Sequence, residues 1–130
     1  MSMNEKRILL VDDDEALVKT FQSVLLREGY FVDIAMTANR ALKKVEKEKY
    51  NLVVLDVVLS YILGCEVAHK IRQQDDEIRI ILITGYPQFQ ECIDSLKLGI
   101  QEILLKPIAP SEILRVTREA FSCIAPARPV

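Results

Sequence analysis

The sequence is poor in the residues that mark non-globular chains. Its 130 residues include only four glycines and five prolines, which excludes collagen-like, low-complexity and intrinsically disordered classes. Cysteine is scarce too: Cys65, Cys92 and Cys123 stand 27 and 31 residues apart. That odd number fits neither a disulfide framework nor a Cys-x-x-Cys metal site, so they are expected as small apolar core residues in a reducing cytoplasm. Neither sign of charge dominates. Seventeen basic against 19 acidic residues give a net charge of −2, which offers no basic field for a phosphate backbone and excludes nucleic acid as the expected direct partner. No apolar run approaches the roughly 18 residues of a membrane helix, and the amino terminus has no signal-like apolar region, so neither export nor membrane embedding is expected. The lone histidine, His69, lacks the surroundings of a phosphotransfer site and reads as a surface helix residue.

Half the residues are apolar, enough for one domain whose core removes roughly two-thirds of the surface of the unfolded chain. Residues 1–124 are expected to form that domain, and residues 125–130, with Pro126 and Pro129, a loosely ordered tail. Five short apolar runs stand out, at residues 8–11, 31–35, 52–55, 78–83 and 102–105, with starts separated by 23, 21, 26 and 24 residues. Each interval has room for one strand, two loops and one helix. The runs are continuous, not alternating, as in strands buried on both faces of a parallel sheet.

The segments between the runs carry helical periodicity. Leu17, Phe21, Val24 and Leu25 form one stripe, with Asp14 as a candidate N-cap and Gly29 placed to end the helix. Thr37 is a second candidate N-cap, ahead of a buried stripe of Ala38, Ala41, Leu42 and Val45 whose charged neighbours from Lys43 to Lys49 face solvent. Val67, Ala68 and Ile71 mark a third helix, Cys92, Ile93 and Leu96 a fourth, and Ile113, Thr117, Ala120, Phe121 and Ile124 a fifth. Right-handed crossovers turn such a chain into a flavodoxin-like (βα)5 doubly wound α/β sheet, with strand order 2-1-3-4-5. Ligands of such sheets bind outside the carboxyl ends of the strands, near strands 1 and 3 in this order.

Those ends carry chemistry. Asp12, Asp13 and Asp14 follow the first run, Asp56 the third, Thr84 and Gly85 the fourth, and Lys106 the fifth. Two carboxylates about 4 Å apart repel by roughly 4 kcal/mol at an effective dielectric near 20, so such a cluster asks for a cation beyond one lysine. Oxygen-only ligands with places left for water suit Mg²⁺, a hard ion usually held with phosphate oxygens.

The segments ILLVDDD, LVVLDVVLS, the glycine at Gly64, ILITGYP and ILLKPI, in that order, resemble the receiver domain of two-component response regulators from Arg7 to about Ile124. The resemblance implies that Asp56 accepts a phosphoryl group from a phosphohistidine of a sensor histidine kinase or phosphotransfer protein. It further implies that Asp13, Asp56 and the Val58 carbonyl bind Mg²⁺ directly and Asp12 through water. Thr84 and Lys106 would then contact phosphoryl oxygens, helped by main-chain N–H groups near Val58 and Gly85, beside a cis Lys106–Pro107 bond. Gly85 is expected to leave room for close backbone approach. The fourth helix, fifth strand and fifth helix would relay the signal and carry a homodimer.

Three residues depart from the family pattern: Ser60 replaces a common proline, Ile103 a common aromatic, and bulky Tyr86 flanks the site. The reading is a cytoplasmic, non-enzymatic switch that catalyses only its own phosphorylation and dephosphorylation. A phosphorylation-independent degenerate receiver is the first alternative. An aspartyl-nucleophile phosphohydrolase is the second, disfavoured because Val58 stands where such enzymes carry a second acid. Six residues follow Ile124, which fits either a stand-alone receiver or a segment of a longer regulator.

Overall fold

The computed structural model describes residues 6–59, 62–86 and 99–122, without the side chains of 62 and 63. Five strands form one parallel sheet: β1 (Arg7–Val11), β2 (Phe31–Ala35), β3 (Leu52–Asp56), β4 (Arg79–Thr84) and β5 (Glu102–Leu105). They lie in the order β2-β1-β3-β4-β5, the expected doubly wound arrangement. The ends of the runs move by a residue at most, because pairing continues beyond the apolar side chains. Arg7 pairs with Phe31, and Asp56 with Ile83.

Helices on both sides explain the unbroken hydrophobicity. On one face, Leu9, Val11, Val53, Leu55, Ile80 and Leu82 pack beneath helices α2 (Ala38–Lys47) and α3 (Gly64–Gln74). On the other, Ile8, Leu10, Val54, Ile81, Ile83 and Leu104 pack beneath α1 (Glu15–Arg27) and α4 (Pro110–Ser122). Successive side chains of a strand point to opposite faces, so every position of β3 must be apolar until its last residue, Asp56. Burying one such leucine contributes about 1.5–3 kcal/mol.

Side-chain caps set the helix starts. Asp14 Oδ1 accepts from the Leu17 N–H at 3.2 Å, and Thr37 Oγ1 from the Arg40 N–H at 3.1 Å. The turn after α1 closes at Gly29, with φ +94°, where the missing Cβ removes the cost of left-handed backbone. The buried stripe of α1 is Val18, Phe21 and Leu25, while Leu17 and Val24 flank it half-buried. The helix thus presents an i, i+3, i+7 line to the sheet that keeps Phe21 and Leu25 of the expected stripe and adds Val18. In α2, Ala38 and Ala41 are buried and Leu42 and Val45 pack partly buried against the core. Cys65 is buried on α3 and His69 is exposed there. At the far end, α4 is tied to α1 by the Arg118–Glu28 ion pair, while Phe121 stacks on Tyr30 at 5.3 Å.

Two features lay beyond periodicity. Between β3 and α3, Val58–Leu59 and Ile62–Leu63 pair as a short antiparallel ribbon. The ribbon returns the chain so tightly that a Cβ on Gly64 would overlap the Asp56 carbonyl oxygen, and the Gly64 N–H bonds the Val57 carbonyl. Gly64 is therefore required by close approach to the main chain of Asp56. The Lys106–Pro107 bond is cis. Ser60, the expected fourth helix with Cys92, Ile93 and Leu96, and the carboxyl terminus with Cys123, Ile124 and the expected tail lie outside the described residues. Among the described residues, no helix is long and apolar enough to cross a membrane.

Thr117 on α4 is fully buried, and its hydroxyl has no hydrogen-bond partner among the described residues. An unsatisfied buried hydroxyl costs roughly 1–3 kcal/mol. Thr117→Val keeps the shape and removes the polar atom, so it should raise stability by about 1 kcal/mol in a urea melt. A loss of stability would show that the hydroxyl is satisfied by the helix main chain.

Candidate functional site

The parallel register assembles the site. Val11 pairs with Leu55, Asp56 with Ile83, and Thr84 with Leu105, so the residues that follow each strand emerge at one edge of the sheet. Asp12 and Asp13 arrive from β1, Asp56 from β3, Thr84 from β4 and Lys106 from β5.

Three carboxylates converge there. One oxygen from each of Asp12, Asp13 and Asp56 lies within 4.8 Å of the others. Asp12 is 1% and Asp56 5% exposed, whereas Asp13 faces solvent. Lys106 Nζ lies 3.0 Å from Asp12 Oδ2 and 3.1 Å from Asp56 Oδ2. It donates a hydrogen bond to Asp56 and forms an ion pair with the buried Asp12. The second oxygens are bound by the main chain: Asp12 Oδ1 accepts from the Asp14 N–H at 3.0 Å, and Asp56 Oδ1 from the Val58 N–H at 3.1 Å. Asp14 turns away to cap α1, as its position before Glu15 suggested.

The electrostatics follow from this crowding. Burial, then the charge of Asp12, pushes the Asp56 carboxyl up from 3.8 to about 6, against the lowering effects of the Val58 N–H and Lys106. Burial alone would depress the Lys106 ammonium, but its contacts with Asp12 and Asp56 outweigh that and raise it. The lysine is thus firmly charged, while Asp56 ionises less readily than an ordinary aspartate.

Thr84 is 4% exposed, and its hydrogen bonds run to the Tyr86 main chain. Its hydroxyl accepts from the Tyr86 N–H at 2.8 Å and donates to the Tyr86 carbonyl at 3.2 Å. This local loop was not legible in the sequence, which offers only Tyr86 as a bulky neighbour. Its side chain is half-exposed. A Cβ at Gly85 would meet Lys106 Cβ at 4.0 Å, an ordinary contact. Ile103 packs partly buried against the α2–α3 core, where a branched aliphatic chain fits without a ring.

Asp12, Asp13 and Asp56 offer hard oxygen donors, from two buried side chains and, at Asp13, an exposed one. That donor set fits a divalent cation that retains water.

Because folded Asp56 holds its proton to higher pH than the unfolded chain, its ionisation destabilises the fold as pH rises from about 4 to about 6. In metal-free buffer at pH 7–8, Asp56→Asn should stabilise the protein by about 1 kcal/mol. The gain should vanish below about pH 4, where both forms are neutral. A lower melting temperature at pH 7–8 would contradict the repulsion.

The chain is similar to known proteins in sequence and fold. A family model described as the response regulator receiver domain matches residues 8–118. The chain is 40% identical over 108 residues to the alkaline phosphatase synthesis transcriptional regulatory protein PhoP of Bacillus subtilis, covering 83% of this chain and 45% of PhoP. It therefore spans less than half the length of that curated relative. The CheY-like receiver domain protein of Methanospirillum hungatei superposes with a TM-score of 0.85 at 34% identity, covering 92% of this chain and 95% of that one. The response regulator TrrA of Thermotoga maritima, solved in complex with Mg²⁺–BeF, gives 0.79 at 33% identity over 88% of this chain and 98% of TrrA. With this match and the five-stranded sheet in 2-1-3-4-5 order, the chain belongs to the response regulator receiver domain family of two-component systems.

Proposed function

We propose that Asp56 is the phosphoacceptor of a signalling switch and takes its phosphoryl group from a phosphohistidine of a sensor histidine kinase or phosphotransfer protein. The observation that carries this reading is the convergence of three carboxylates at one edge of the sheet, two of them paired with Lys106 and one of those, Asp56, hydrogen-bonded to it. In the transfer, an Asp56 oxygen attacks phosphorus, the P–N bond breaks, and an acyl phosphate forms while the imidazole leaves and takes up a proton. Positioning and charge stabilisation carry most of such a reaction. The Val58 N–H fixes one Asp56 oxygen, and Lys106 offsets charge beside the other.

Asp13, Asp56 and the Val58 carbonyl would hold Mg²⁺, with Asp12 acting through water. Bound there, the ion would neutralise charge on the carboxylates and phosphoryl oxygens. The buried, main-chain-bonded Asp12 suits the indirect role and exposed Asp13 the direct one. The Mg²⁺–BeF complex of TrrA supports the same ion here. Thr84, Lys106 and the main-chain N–H groups near Val58 and Gly85 would receive the phosphoryl oxygens.

The chain would act in the cytoplasm and catalyse only its own phosphorylation and dephosphorylation. A homodimer would form through the fourth helix, β5 and α4. The exposed Leu105 and the Arg115 contacts with Glu102 and Glu119 lie on that face.

Incubation with Mg²⁺ and acetyl phosphate, followed by intact-mass measurement, should show the gain of one base-labile phosphoryl group. Asp56→Asn should abolish it. A protein that stays unlabelled would be an interaction module independent of phosphorylation, and steady hydrolysis of phosphate esters would make it a phosphohydrolase; either result contradicts the proposal.

A further inference from the structure

The main chain leaving β3 alternates in direction. The Val57 N–H donates to the Ile83 carbonyl of β4 at 2.8 Å, and the Val57 carbonyl accepts from the Gly64 N–H, so both polar groups of Val57 face the β4 side. In extended backbone, the N–H and C=O of one residue share a side and those of the next residue take the other. Val58 therefore turns toward β1, the other neighbour of β3, whose end carries Asp12 and Asp13. Its N–H confirms the direction by donating to Asp56 Oδ1 at 3.1 Å. Val58 pairs with Leu63 and Leu59 with Ile62, so the alternation gives the ribbon bonds to Leu59 and leaves the Val58 carbonyl on the acidic side.

One residue closes this arrangement. A Cβ on Gly64 would overlap the Asp56 carbonyl oxygen and stand 2.9 Å from the Val57 Cα, so any side chain there pushes the returning chain off Val57 and breaks its bond to the Val57 carbonyl. We propose that Gly64 is a positioning residue for the cation site: by closing the ribbon against Val57, it holds the Val58 carbonyl on the side of Asp12 and Asp13. This rests on the reading that the Val58 carbonyl is a Mg²⁺ ligand. Gly64 has no side chain to offer the ion, and its effect passes entirely through the main chain of residues 56–58.

Carbonyl carbons report the arrangement by NMR. In wild-type protein, Mg²⁺ should shift the Val58 carbonyl carbon together with the Asp13 carboxyl and leave the Leu59 carbonyl carbon unmoved. Gly64→Ala should weaken Mg²⁺ binding about tenfold to a hundredfold, the range for groups that orient a ligand, and at saturating Mg²⁺ its Val58 carbonyl should no longer respond. A merely structural glycine would lower the melting temperature on substitution and leave that response intact. Because the bond to Val57 and not the length of the turn holds the carbonyl, one glycine inserted between Ser60 and Tyr61 should leave Mg²⁺ affinity unchanged. A folded Gly64→Ala protein with wild-type affinity and Val58 response would overturn the proposal, as would an insertion that costs as much affinity as Gly64→Ala. If Gly64→Ala fails to fold, the insertion and the wild-type contrast decide, and equal responses at Val58 and Leu59 overturn the proposal. If Mg²⁺ moves the Asp13 carboxyl but not the Val58 carbonyl, the reading of Val58 as a ligand fails and the proposal falls with it.

Discussion

The structure turns on a mismatch of charge: three carboxylates share one edge of the sheet with a single ammonium. At an effective dielectric near 20, two unit charges 4 Å apart interact by about 4 kcal/mol, so one lysine offsets only part of the repulsion. The fold tolerates this because the carboxylates are fixed by strands buried on both faces, and interiors packed to that density do not relax to separate them. What remains is a site poised for a cation and a phosphoryl group. The raised Asp56 carboxyl is a sign of that incompleteness.

The opposite edge of the sheet behaves differently. There, Tyr50 is buried and donates to Asp33 Oδ2 at 2.6 Å, and burial and then that bond push its phenol up. The Asn51 side chain accepts from the Arg7 N–H at 2.8 Å, Arg7 pairs with Glu48 at 3.1 Å, and Arg72 donates to the Ile78 carbonyl at the start of β4. Opposite charges and complementary donors meet at that end. It anchors the strands, while like charges gather at the other. A βα repeat places its loops at two edges, and in this sequence opposite charges meet at one while like charges gather at the other.

Much of this was legible in the sequence, and the reasons are physical. Strands buried on both faces announce themselves as unbroken apolar runs, and their spacing admits only short βα units. Asp14 and Thr37 were readable as caps because an acceptor side chain just before a helix has a specific use. The carboxylates were readable because strand ends in a parallel sheet converge. Other features depend on main-chain path or rotamer, which periodicity does not encode. The stripe of α1 lies on Val18 and not on Leu17 and Val24, since the sheet beneath sets the rotation of the helix. Gly64 stood out as a motif, but its purpose, contact with the Asp56 carbonyl, appears only when the ribbon folds back. The direction of the Thr84 hydroxyl, set by the two residues after it, could not be read at all.

The central claim, that Asp56 sits in a cluster of like charge awaiting a cation, is tested most directly by following the Asp56 carboxyl carbon by NMR across pH. Without metal, the midpoint should lie near 6, well above the ordinary 3.8, and saturating Mg²⁺ should lower it. A midpoint near the ordinary value, unmoved by Mg²⁺, would contradict the account.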